Sequence, residues 1–195
     1  MNSAPRLFLA VELPFSIRRE LAPVLKQLGG IHSEVRPVRA DGLHVTLRFL
    51  GRVEAAAEAP IHAAAARAAS ETKPFPMSLE GLGTFPERSG PRVVWAGVGE
   101  GRPDISRLAQ SLRAGLVAEG WNPPPGPFRA HCTLARLPER LSAASAAALT
   151  EFCQRGLGHA PLRTTIDLVA LLESVPVPRG PNRYPRRASW RLGRS

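Results

Sequence analysis

His44 and Thr46 stand two residues apart in the stretch LHVTLRFLG, Leu43 to Gly51. His131 and Thr133 repeat that spacing in AHCTLARL, Ala130 to Leu137. Both stretches read as strands, and in a strand residues i and i+2 project from the same face. Each imidazole therefore shares a face with its hydroxyl, while Val45 and Leu47, like Cys132 and Leu134, point the other way. If the two strands meet, two imidazoles and two hydroxyls converge on one point. That set suits displacement at phosphorus, which needs a base for the incoming oxygen, an acid for the departing one, and donors for the remaining oxygens. A neutral and a protonated imidazole perform the first two tasks near neutral pH. Hydroxyls aimed at the non-bridging oxygens perform the third. The scheme requires neither metal nor cofactor.

One H-x-T in a strand is ordinarily structural, with threonine chosen for its β-propensity and histidine bonded to the backbone. Two copies, each followed by leucine, favour the chemical reading. Arg136, five residues after His131, is placed to clamp a phosphate with its guanidinium. Strict alternation puts Arg48 on the face of His44 and Thr46 as a second phosphate or RNA contact. His62 sits in an alanine-rich helix with no partner in sequence, His32 and His159 lie in polar segments, and all three read as surface residues. Cys132 reads as a small core residue. GLGTF has no third glycine, so it reads as a tight turn with backbone close to a neighbour, not as a nucleotide loop.

The elements that must hold these residues alternate between strand and helix. Strands are expected at Arg6–Leu13, at Leu43–Leu50, on either side of GTFPERSGP, at the second motif, at Thr164–Ser174 and in the terminal ASWRLG. Helical spacing of Ile17, Leu21, Val24, Leu25 and Leu28 predicts a helix stopped by Gly29-Gly30. Val53–Ser70 reads as a second helix. A third, capped by Asp104, has Ile105, Leu108, Leu112 and Leu116 on its apolar face, and a fourth starts at Ser142 and runs to about Arg155. Helix–strand–strand–helix grouping with hairpin loops indicates an α+β fold with largely antiparallel sheets. Two pseudo-symmetric lobes are expected within a single domain over 1–195, one motif in each (44–47 and 131–134).

The bulk composition fits this reading. The chain has 195 residues, 44% of them apolar, with 26 Lys and Arg against 16 Asp and Glu, a net charge of +10. Such an excess favours polyanions, although inflated Ala, Arg, Gly and Pro usage of the kind GC-rich coding produces accounts for it equally well. Two cysteines without C-x-x-C spacing argue against a disulfide scaffold or a zinc site. No signal-peptide pattern and no long apolar span is visible, so a cytoplasmic monomer with no membrane contact and no obligatory protein partner is expected.

Taken together, RLFLAVELP, LHVTLRFLG, GLGTFP, RVVWAGV, FRAHCTLARL and LLESVPVPRGPNRYP, in that order, resemble the 2H phosphoesterase superfamily. Within it the chain is most similar to the bacterial and archaeal RNA 2′,3′-cyclic phosphodiesterases, also called 2′-5′ RNA ligases. The resemblance implies a bilobal fold with the catalytic cleft between the lobes. It implies hydrolysis of RNA 2′,3′-cyclic phosphate ends to 2′-phosphomonoesters, and reversible 2′-5′ ligation. His44 would then be the proton donor and His131 the proton acceptor. Thr46 and Thr133 would hold the phosphoryl oxygens, Arg136 would bind substrate, and Phe49 and Tyr184 are the aromatic candidates for stacking a base. The family's usual proline before the second histidine is Ala130 here, which removes a conformational restraint and no chemical group. A 2H enzyme acting on a small cyclic nucleotide or ADP-ribose cyclic phosphate, and a non-catalytic RNA-binding module, are the competing readings. A basic track of Arg179, Arg183, Arg186 and Arg187 would favour RNA.

Overall fold

The computed structural model describes residues 4–33, 35–86, 90–121, 126, 128–158, 160–178 and 180–193. His159 and Arg179 lie outside the described residues. The strands are β1 (Arg6–Glu12), β2 (Arg36–Pro37), β3 (His44–Arg52), β4 (Phe75–Phe85), β5 (Val93–Val98), β6 (His131–Arg136), β7 (Leu162–Ile166), β8 (Leu168–Glu173), β9 (Val175–Val177), β10 (Gly180–Arg183) and β11 (Arg186–Arg191). The helices are α1 (Phe15–Ile31), α2 (Glu58–Ser70), α3 (Arg102–Ala118) and α4 (Ala143–Arg155).

Nine strands form one antiparallel sheet in the order β11-β8-β1-β3-β6-β5-β4-β7, with β2 paired to β6, while β9 and β10 form a separate hairpin. The expected α+β class with antiparallel sheet and outer helices is what the chain adopts. The two halves are joined at the centre of the sheet, where Val45 of β3 lies opposite Cys132 of β6. The stretch Thr164–Ser174, expected as one strand, is two. β7 ends at Ile166 on one edge of the sheet, and β8 begins at Leu168 near the other. Six strand spacings separate them, roughly 29 Å in a flat sheet, yet Asp167 alone connects them. Only a strongly curled sheet brings those edges within reach of a single residue.

Curling gives the sheet two unlike faces. On β1, Leu7, Leu9 and Val11 join the main core with the helices, while Phe8 and Ala10 join a small cluster on the other face with Ala170 and Leu172. Between its charged ends β1 is apolar from Leu7 to Val11 because both of its faces are covered there. The helices bury the residues their spacing indicated: Ile17, Leu21, Val24, Leu25 and Leu28 on α1, and Ile105, Leu108, Leu112 and Leu116 on α3.

Some boundaries differ from expectation. Gly29-Gly30 do not stop α1, which continues to Ile31. Pro37 packs so closely there that a Cβ on Gly29 would lie 3.3 Å from its ring. α3 is capped by Gly101 in the left-handed region (φ 75°), and Asp104 sits in the first turn, where a carboxylate favours the helix dipole. A 3-10 turn, Ala55–Ala57, precedes α2 in the segment read as one helix. Ser142 caps α4 as expected, its hydroxyl accepting from the Ser145 N–H at 3.1 Å.

Candidate active site

Val45 and Cys132 are fully buried on the helix side, so His44, Thr46, His131 and Thr133 all project to the opposite face. There they line one cavity of about 460 Å³, together with Arg136, Phe49, Tyr184, Gly42 and Val38. The antiparallel register around Val45–Cys132 sets His44 across from Thr133 and Thr46 across from His131. The two motifs thus meet at the centre of the sheet.

The two imidazoles are held alike. Each donates its Nδ1–H to the carbonyl two residues earlier, His44 to Gly42 at 2.7 Å and His131 to Arg129 at 2.7 Å. A carbonyl only accepts, so Nδ1 carries the proton and Nε2 is left for chemistry. His44 Nε2 lies 3.1 Å from the Thr46 hydroxyl, which donates to it while the ring is neutral.

Aromatic rings flank both. Phe8 and Tyr184 each have ring centroids 4.9 Å from His44, Tyr184 edge-on at 76°. Phe85 stands edge-on to His131 at 5.0 Å, and Trp95 lies at 6.5 Å. Burial among these rings pushes the His44 pKa down from 6.5 to about 4, aided by the positive fields of His131, Arg136 and Arg18 and opposed by the Gly42 hydrogen bond. Burial also lowers His131, with the Arg129 charge adding to it and the Arg129 carbonyl opposing. The Cys132 thiol, enclosed on the core side, is pushed up to about 12.

Arg48 is not in the cavity. Between β1 and β3 the register slips: Ala10 faces Thr46 but Leu9 faces Arg48, so Leu47 is an extra residue, a β-bulge. The bulge reverses the alternation. It turns Arg48 toward the helix face, where the charge of Arg113 on α3 reaches it, and it brings Phe49 to the cavity. β6 does the same. Trp95 faces Thr133 but Val94 faces Ala135, so Leu134 is the extra residue, and Arg136 reaches the cavity in place of Ala135.

Tyr184 and Phe49 are therefore both in the cavity. Of the basic track, Arg186 is paired with Glu12 at 2.7 Å, and Arg187 with Glu58 at 3.1 Å and Glu173 at 3.5 Å. Arg183 lines a neighbouring hollow beside Tyr184. His62 is half-exposed, edge-on to Trp190.

Phe8, Phe85 and Trp95 are not singled out by the sequence. The available signal for Trp95 is a glycine. GLGTF is not a turn but part of β4, and Gly83 lies opposite Trp95, whose ring a Cβ there would run into. The close approach read into that glycine is an indole, not backbone.

No three His, Cys, Asp or Glu side chains gather as a metal site among the described residues, and no described helix is long and apolar enough to cross a membrane. The arrangement gathers two Nε2 atoms, two hydroxyls and a guanidinium around one hollow, a set of groups able to do acid–base chemistry on an anion.

Comparison with known proteins agrees with that class. The pattern of the 2′-5′ RNA ligase superfamily matches residues 13–176, and the chain belongs to that family. A protein of Archaeoglobus fulgidus named RNA 2′,3′-cyclic phosphodiesterase is 36% identical over 177 residues, covering 90% of this chain and 94% of its own. One of the same name from Escherichia coli is 35% identical over 140 residues, 70% and 74% of the two chains. Among solved structures, E. coli LigT complexed with 3′-AMP has a TM-score of 0.73 at 29% identity, with 96% and 98% of the chains covered. A Thermus thermophilus protein of known structure gives 0.73 at 30%, covering 96% and 97%.

Proposed function

We propose that this protein hydrolyses RNA 2′,3′-cyclic phosphate ends to 2′-phosphomonoesters. The observation that carries the reading is the convergence of His44 and His131 on one cavity, each with Nδ1 committed to a carbonyl. Water attacks phosphorus and passes its proton to Nε2 of His131. The bond from phosphorus to the 3′ oxygen breaks, and that oxygen takes the proton from Nε2 of His44. Thr46, Thr133 and Arg136 hold the non-bridging oxygens. Phe49, 62% exposed at the cavity edge, stacks the terminal base.

An imidazole as weakly basic as His44 is a strong acid once protonated. The cyclic phosphate anion supplies the opposite charge that lets it hold its proton until the leaving oxygen needs it. With a 5′-hydroxyl in place of water, the same steps join a cyclic end to a second strand by a 2′-5′ bond; run backwards, they cleave that bond and re-form the cyclic end.

The test is product analysis on an oligonucleotide ending in a 2′,3′-cyclic phosphate, with chelator present. A 2′-phosphate product is expected. A 3′-phosphate, or no turnover, overturns the reading.

A further inference from the structure

Arg136 does not stand alone at the rim of the cavity. Arg36 of β2 lies directly opposite it across the β2–β6 pair, and Pro37 lies opposite Ala135. Directly opposed residues of an antiparallel pair share a face. Ala135 is core, and Pro37 packs on Gly29 of α1 on the helix side. Arg36 therefore points to the same face as Arg136 and the histidines. β2 lies on the same side of β6 as β3 does, farther along the strand, and Val38, just after it, lines the cavity. Arg136 lines the cavity as well and Arg36 does not, so Arg36 sits one step outward.

Two arginines opposed across a sheet repel each other. Elsewhere the chain answers such charges with carboxylates, as at Arg39–Asp41, Arg163–Glu100 and Arg191–Asp167. Neither Arg36 nor Arg136 has a carboxylate partner among the described residues. A like-charge pair at the mouth of such a cavity is neutralised by a ligand with more than one negative charge in a row.

Building on the proposed function, we infer that Arg36 binds the phosphodiester next to the reacting one, on the 5′ side of the terminal nucleotide. The substrate is then a polynucleotide end and not a lone cyclic nucleotide. The first phosphate sits against the histidines and Arg136. The chain leaves the cavity over β2, where the Arg36 guanidinium meets the second phosphate. Its five donors on a long stem suit an exposed backbone contact.

The experiment compares kcat/KM for a 2′,3′-cyclic mononucleotide with that for a trinucleotide carrying the same cyclic end, in the parent and in Arg36→Ala and Arg36→Glu. The parent favours the trinucleotide. In Arg36→Ala the trinucleotide-to-mononucleotide ratio falls roughly tenfold, the size of one charge-assisted contact, and in Arg36→Glu it falls further. The dependence of trinucleotide KM on salt becomes shallower by about 0.7 in log–log slope for the lost phosphate contact. A ratio unchanged in both variants, or both substrates losing activity equally, overturns the inference and leaves the proposed function standing. A parent inactive on both substrates overturns the proposed function instead.

Discussion

Phe49 and Arg136 occupy equivalent places in the two halves of the molecule: each lies five residues after a motif histidine, and each reaches the cavity because the leucine of H-x-T-L is a bulge. One half thus offers a ring beside its imidazole and the other a guanidinium. A pseudo-symmetric pair of strands thus lines an asymmetric cavity, with an aromatic ring at one end and a guanidinium at the other.

Truncating either imidazole removes an acid or a base. His44→Ala and His131→Ala are each expected to lower kcat by roughly 10²–10⁴-fold on a cyclic-ended oligonucleotide, with circular dichroism unchanged. Chelator leaves the parent's rate where it was. Parent-like turnover in either variant sinks the two-histidine mechanism.

Acid weakens the fold through His44. Its folded pKa of about 4 lies below the ordinary 6.5, so between those values the unfolded chain binds the more protons. Stability is full above 6.5 and falls as pH drops toward 4, by on the order of 3 kcal/mol for this ring. Denaturant unfolding at pH 7 and pH 4.5 measures it. In His44→Asn the difference shrinks.

Activity responds in the opposite direction. The proposed reaction needs one imidazole protonated and one neutral, and both pKa values are lowered in the free protein. kcat/KM, which reports the free enzyme, is expected to peak on the acid side of pH 6.5 and decline as pH rises. A peak above pH 7.5 would contradict the burial of the two rings.

Phe49→Ala removes the exposed ring at the cavity edge. Base stacking is worth about 1–3 kcal/mol, so affinity for a 2′-phosphorylated oligonucleotide is expected to drop by that amount. kcat is expected to change little. Calorimetric titration separates this from a loss that falls on kcat alone.

Gly83→Ala forces a methyl into the Trp95 indole. Overpacking of this kind costs about 1–3 kcal/mol, and the displaced ring no longer packs beside His131, so kcat falls too. Gly30→Ala meets nothing within 4 Å near the end of α1 and is expected to stabilise by up to about 0.5–1 kcal/mol. Thermal unfolding of the pair tests whether space or mere substitution matters.

The sequence by itself determined the helices, most of the strands and which residues belong together chemically. Helical periodicity named the buried faces of α1 and α3, and period-two spacing put each histidine with its threonine. Those signals are local, because side-chain direction within one element depends only on that element's backbone. What lay beyond them was decided between strands. Period two sent Arg48 to the cavity, but a bulge exists only where one strand carries a residue its partner lacks, so the turn at Leu47 is set jointly by β1 and β3. The same holds for Arg36, whose place beside Arg136 depends on a two-residue strand with no pattern of its own. Trp95 is legible only when Gly83 is known to face it. Two of the tail's candidate arginines, Arg186 and Arg187, are held by carboxylates for a related reason: charge is written in the sequence, but whether Glu12, Glu58 or Glu173 neutralises it depends on segments more than a hundred residues away, or across a strand pair, arriving within about 4 Å.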